Sequence, residues 1–185
     1  MPGENLTRSE AELRSSAINT HSYLVELDLT TGDEVFRSKT TVRFSAKPGT
    51  STFIDAITSK VHSVVLNGRE LDASEVSDGL RIELDSLDAE NTLVVDADAF
   101  YMHTGEGLHR FVDPVDNEVY LYTQFEVPDS RRMFAVFEQP DLKATFEFVV
   151  TAPSYWQVVS NQPTPTPNSI DERRSVWHFS PTPRL

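Results

Sequence analysis

The sequence has no cysteine, which excludes a disulfide framework and thiolate metal ligands. No apolar run approaches the roughly 20 residues that cross a bilayer as a helix. The opening MPGENLTRSEAELR carries acidic residues where a secretory leader needs an apolar core, so the expected compartment is the cytoplasm. Basic residues are scarce as well. Sixteen Lys and Arg stand against 29 Asp and Glu, and the resulting net charge of −13 opposes phosphate backbones and anionic lipid. Neither nucleic acid nor a membrane is an expected partner.

Catalytic signatures are also missing. There is no Gly-x-Ser-x-Gly elbow for a serine nucleophile, and Gly105-Glu106-Gly107 lacks the lysine and following helix of a phosphate loop. The histidines at 21, 62, 103, 109 and 178 are scattered, with no pair at the i, i+4 or short strand spacing of a common zinc site. His103 and His109 flank the glycine turn and can meet in space, but surface or core histidines are the favoured reading. By itself the chain shows no complete active site, and no metal is expected within it.

What is present fits one body. The chain has 185 residues, 38% hydrophobic and 24% charged, as in an ordinary globular protein. Thr7 stands three residues before Glu10, the spacing of a capping box, which predicts a short helix near residues 8 to 17. From Tyr23 the period becomes two: Tyr23, Val25, Leu27 and Leu29 alternate with Leu24, Glu26 and Asp28. Thr31-Gly32-Asp33 turns the chain into a second alternating run, with Phe36, Val42 and Phe44 opposite Arg37, Lys39 and Arg43, so a hairpin is expected. STFIDA, VHSVVLN, LRIEL, NTLVVDADAF, VYLYTQFE, KATFEFVV, YWQVVSN and SVWHF complete a set of short strands, with turn signals at Asn67-Gly68 and Asp78-Gly79. PTPTP at 163 to 167 reads as a rigid surface connection. The pattern predicts an all-β fold of two antiparallel sheets packed face to face, with a helical segment over 1–18 and a β-sandwich over 19–185.

The densest chemistry lies in TQFEVPDSRRMFAVFEQPDLKATFEF, residues 123 to 148. If VYLYTQFE is a single strand, Gln124 and Glu126 project from one face. A carboxylate beside an amide can clamp an ammonium, one by charge and the other by accepting a hydrogen bond, although two solvated strand residues would look the same. Pro128 ends the strand. Arg131 and Arg132 beside Asp129, Glu138 and Asp141 predict a folded-back corner fastened by charge-assisted hydrogen bonds. Phe134, Phe137, Phe146 and Phe148 form its floor, and Pro140 fixes the bend before the next strand.

These residues carry a resemblance. Thr123-Gln124-Phe125-Glu126, Asp129-Ser130-Arg131-Arg132, Phe134, Phe137, Pro140-Asp141 and Lys143-Ala144-Thr145-Phe146 resemble the N-terminal domain of zinc aminopeptidases of the aminopeptidase N type. GLHRFVDPVDNEVYLYTQFE and SYLVELDLT look like the same domain, so the resemblance runs from about residue 6 to the end. It implies a β-sandwich or saddle-shaped domain leaning on a thermolysin-like catalytic domain. That domain's Gly-x-Met-Glu-Asn and His-Glu-x-x-His, with a later glutamate, bind zinc and activate water; neither motif occurs here, and both are expected after Leu185. It also implies that Gln124 and Glu126 reach the catalytic cleft, where Glu126 holds the free α-amine of a peptide substrate. Ala135 to Pro140 depart from the family's commonest form, at positions that fit corner building. The competing expectation is a free-standing β-sandwich module that binds a protein or glycan.

Overall fold

The structure, a computed structural model, describes residues 5–185; the first four residues of the expected helical segment lie outside it. The elements in chain order are α1 (Arg8–Ala17), β1 (Ile18–Asp28), β2 (Val35–Ala46), β3 (Thr52–Asp55), β4 (Lys60–Leu66), β5 (Arg69–Leu71), α2 (Ala73–Val76), β6 (Arg81–Leu84), β7 (Glu90–Phe100), β8 (Gly107–Val112), β9 (Val119–Gln124), a 3₁₀ turn at Ser130–Arg132, β10 (Thr145–Pro153), β11 (Asn168–Ser169) and β12 (Arg174–His178). The expected all-β architecture is the observed one.

An eight-stranded sheet runs β11-β12-β10-β1-β2-β7-β4-β5, accompanied by the two-stranded sheets β3-β6 and β8-β9. Alternation in sequence becomes alternation in burial: in β2, Phe36, Val42 and Phe44 are fully buried, whereas Lys39 and Arg43 are exposed. Ile54 of β3, Ile82 and Leu84 of β6, and Leu108 of β8 join the same core. The segment Met133–Phe137 is buried with them, and the Phe137 ring meets Phe44 edge-on at 5.2 Å.

Local signals act where expected. The Thr7 hydroxyl accepts the Glu10 N–H while the Glu10 carboxylate accepts the Thr7 N–H, so the capping box closes and α1 starts there. Asn67 (φ 53°) and Gly68 (φ 79°) join β4 to β5 with the two positive φ angles of a tight hairpin. At Asp78-Gly79, where Gly79 has φ 84°, the Asp78 carboxylate accepts the N–H groups of Leu80 and Arg81 and the turn closes a short antiparallel bridge between Ser77 and Ile82, leading out of the single-turn helix α2.

Three features differ from the sequence expectation. β1 pairs with β10 in parallel, Tyr23 against Phe146 and Val25 against Phe148, whereas every other ladder is antiparallel. Period-two patterning records which face is buried and carries no strand direction. YWQVVSN is not a strand. After Pro153 the chain turns, the Trp156 N–H bonds to the Pro153 carbonyl, and Trp156 and Val158 pack on the core without a ladder. Finally, VYLYTQFE is strand only to Gln124, and its partner β8 is a strand that the pattern did not suggest.

Among the described residues, no helix is long and apolar enough to cross a membrane.

Candidate functional site at the end of the β8–β9 ribbon

The β8–β9 ribbon has two unlike faces. Leu108 and Leu121 point inward, one buried and the other packed on the core. The cross-strand pairs Phe111–Tyr120, His109–Tyr122 and Gly107–Gln124 share the opposite face. Phe111, Tyr120 and Tyr122 there are each about half exposed, at 46, 50 and 51%. This aromatic stripe leads to Gln124.

At Gln124 the ladder stops. Phe125 folds inward and meets Phe134 edge-on at 6.0 Å, and the Val127–Pro128 peptide that follows is cis. Glu126 therefore lies in a turn beyond the strand, and the expected one-strand alternation does not place it. It is beside Gln124 for another reason: its backbone N–H donates to Gln124 Oε1. Both side chains are exposed. The result is a carboxylate at the tip of an apolar stripe, its backbone tied to the neighbouring amide.

Below the tip, the corner is fixed from several directions. Arg132 Nε reaches the Asp129 carboxylate at 2.8 Å, closing the 3₁₀ turn. The Glu138 carboxylate accepts the Ser130 hydroxyl and, at 2.8 Å, the Arg131 N–H. Burial raises Glu138 above the ordinary carboxylate range, and these two hydrogen bonds oppose that shift. Phe134 packs edge-on to Phe146 and Phe148, and the Phe137 N–H donates to the buried Tyr23 hydroxyl at 3.1 Å. Phe134, Phe146 and Phe148 thus form one aromatic cluster. Pro140 and Asp141 are exposed and stand outside this network.

The carboxylate that serves the corner is Asp55, at the end of β3, which sequence reasoning missed. It is 1% exposed, accepts Arg14 Nη1 at 2.7 Å and the Glu138 N–H at 3.1 Å, and lies 3.7 Å from Arg81 Nε. Arg14 also donates to Gln139 Oε1 at 2.9 Å, and Arg81 to Glu10 at 2.7 Å. The two guanidinium carbons lie 4.8 and 4.1 Å from the centroid of the Phe53 ring. α1 is therefore docked through a buried arginine, not through an apolar stripe. The sequence signal for this was weak: an arginine inside a polar helix and an aspartate closing a short apolar run.

His103 and His109 do meet, with ring centroids 6.4 Å apart, but each Nδ1 is already engaged. His103 Nδ1 lies 3.0 Å from the Arg110 carbonyl, and His109 Nδ1 accepts the Gly105 N–H at 3.1 Å. Among the described residues, no group of three or more His, Asp or Glu is placed to hold a metal ion. The residues here do not fit the zinc that the resemblance implies for the whole enzyme. A groove of about 1020 Å³ opens at the opposite end of β9 from Gln124, lined in part by Tyr101, Arg110, Tyr155 and Trp156.

A model of the peptidase M1 N-terminal domain matches residues 19–185. The chain belongs to that family. It is 56% identical over 189 residues to the aminopeptidase N of Streptomyces lividans, covering all of this chain and 22% of that protein. It is 32% identical to the probable M1 family aminopeptidase 1 of Encephalitozoon cuniculi, over 70% of this chain and 17% of that protein. Aminopeptidase Ey of Gallus gallus is 32% identical over 46% of this chain, which covers 10% of that relative. The chain thus spans about a fifth or less of the length of these relatives. For an M1 N-terminal domain of the aminopeptidase N type, the exposed Glu126 tip and the hydrogen-bonded corner beneath it form the candidate site.

Proposed function

We propose that this M1 N-terminal domain serves a zinc aminopeptidase that releases N-terminal residues from peptides, and that Glu126, held by Gln124, receives the substrate's free α-amine. The observation that carries this reading is the exposed Glu126 carboxylate at the end of an aromatic stripe, with its backbone N–H bonded to Gln124 Oε1. Phe111, Tyr120, Tyr122 and the 61% exposed Val127 form an apolar surface around it that a catalytic domain of the same longer protein would cover. Once covered, the carboxylate would lose water, and an ammonium would be the partner that restores its balance. A blocked amine would leave it buried and unpaired, and this asymmetry gives selectivity for free N-termini. The zinc and its water are assigned to the longer protein's other residues, so the 185-residue chain alone is read as inactive. A cytoplasmic setting belongs to the same proposal and is compatible with a chain that has no cysteine.

The test is Glu126→Ala in the longer enzyme. A loss of about 2–4 kcal/mol in kcat/KM is expected, the order for removing one partner of a desolvated charge pair. The chain's unfolding free energy should change by no more than about 0.5 kcal/mol, as for an exposed surface position. An unchanged kcat/KM would take Glu126 out of the site.

A further inference from the structure

Two turns support the tip. Gly105–Gly107 ends on the residue that pairs with Gln124 in the β8–β9 register, and Asp129–Arg132 begins three residues after Glu126 and is closed by its own ion pair. The two supports touch: a Cβ at Gly107 would stand 2.8 Å from the Cβ of Arg132, and Gly107 has φ +62°. Only glycine fits this contact without displacing Arg132. The glycine turn is itself held by His109, because the Gly105 N–H donates to His109 Nδ1 at 3.1 Å. An N–H can be accepted there only by a lone pair, so this arrangement needs an imidazole with Nδ1 unprotonated.

We propose that His109 is a positioning residue for the amine clamp: its Nδ1 lone pair fixes the Gly105–Gly107 turn that holds Gln124, and through Gln124 the backbone of Glu126. The inference rests on the amine-clamp reading of Glu126 but not on any metal. Taking up a proton at Nδ1 replaces the acceptor with a second donor facing the Gly105 N–H. The Gly105 N–H then loses its acceptor, and the turn beside Gln124 loses that fastening.

Several titratable or charged groups surround His109. The Tyr122 ring stacks on it at 4.7 Å, and the His103 ring lies at 6.4 Å. Glu106 in the turn accepts from the Thr104 hydroxyl at 2.6 Å. Arg132, paired with Asp129, lies against Gly107, and Arg110 is directed to Asp33 at 2.6 Å. Of these groups, none accepts the Gly105 N–H; that bond belongs to His109.

The experiment is a pH titration of the 185-residue chain followed by amide and imidazole NMR. The expected result is that the Gly105 and Glu126 amides and the Gln124 side-chain amide shift with the same midpoint as the His109 ring protons. The protection factor at Gly105 should fall roughly tenfold across that midpoint, the scale of one ordinary hydrogen bond. His109→Asn, which can present an oxygen near the Nδ1 position, should keep Gly105 protected and remove the pH dependence. His109→Phe keeps a ring beside Tyr122 and should lose the protection at every pH. Overturning results are a Glu126 amide that ignores the His109 midpoint, or His109→Phe retaining wild-type protection at Gly105. No substrate is present, so failure here is separable from failure of the amine reading, which Glu126→Ala in the longer enzyme decides.

Discussion

Between Ser130 and Gln139 the carboxylate of Glu138 is answered by a hydroxyl and an N–H and Gln139 by Arg14, while Asp55 of β3, beneath them, is answered by a guanidinium and the Glu138 N–H. Between Gln124 and Val127, a few residues earlier, the side chains of Gln124, Glu126 and Val127 stand exposed. The first region uses charge to fix a non-repetitive backbone, where period-two ladders are unavailable. The second leaves one carboxylate without a side-chain partner, above a base fixed by hydrogen bonds and packed aromatics. Charge density in a sequence therefore has two opposite meanings, and burial separates them.

The contrast should break most visibly at Asp55. Asp55→Ala removes the carboxylate between two buried guanidiniums and is expected to destabilise the chain by about 3–5 kcal/mol, measured by urea unfolding. A loss under about 1 kcal/mol would mean that the Asp55 carboxylate does not hold the corner. Gly107→Ala tests the junction of the two regions. Positive φ and the approach to Arg132 should together cost about 1–3 kcal/mol, and the Gln124 and Glu126 signals should shift in the NMR spectrum of the variant. Wild-type stability would show that the contact relaxes freely.

The smallest effects are in pH dependence, and they have opposite signs. Glu10 is pulled down to about 2, first by the Thr7 hydroxyl and amide and then by Arg81. Its native form binds the proton less readily than the unfolded chain does. Its stabilisation is complete above its ordinary value of 4.5 and is lost as the pH falls toward 2. Glu138 is raised by burial, so its contribution is complete below the ordinary value and is lost as the pH rises through the raised one. Thermal unfolding between about pH 2 and 7 should show Glu10→Gln flattening the acid limb and Glu138→Gln flattening a decline toward neutral pH. The same sign for both variants would contradict the burial difference between them.

Much of the fold could be read from local pattern. Thr7 and Glu10 mark the start of α1, Phe36, Val42 and Phe44 mark a buried face, and Asn67-Gly68 marks a hairpin, because each of these acts within a few residues. The parallel seating of β10 against β1 and the meeting of Arg14, Asp55 and Arg81 depend on pairings across long stretches of chain that periodicity does not encode. At the candidate site, strand alternation predicts that Gln124 and Glu126 share a face, and the structure joins them differently. They adjoin through a turn and a side-chain acceptor, not through strand alternation. Asp141 adjoins the corner in sequence yet is exposed, whereas Asp55 accepts the Glu138 N–H from another strand.

The most direct test of the central claim is a two-by-two comparison in the longer enzyme. The ratio of kcat/KM for a peptide with a free α-amine to that for its α-hydroxy analogue is measured with Glu126 and with Glu126→Ala. Loss of an ion pair of about 2–4 kcal/mol predicts that the wild-type preference for the amine falls by roughly 30- to 1000-fold in the variant. A preference that survives the substitution unchanged would show that the amine is recognised elsewhere, and that the exposed carboxylate at the tip of the β8–β9 ribbon is not its partner.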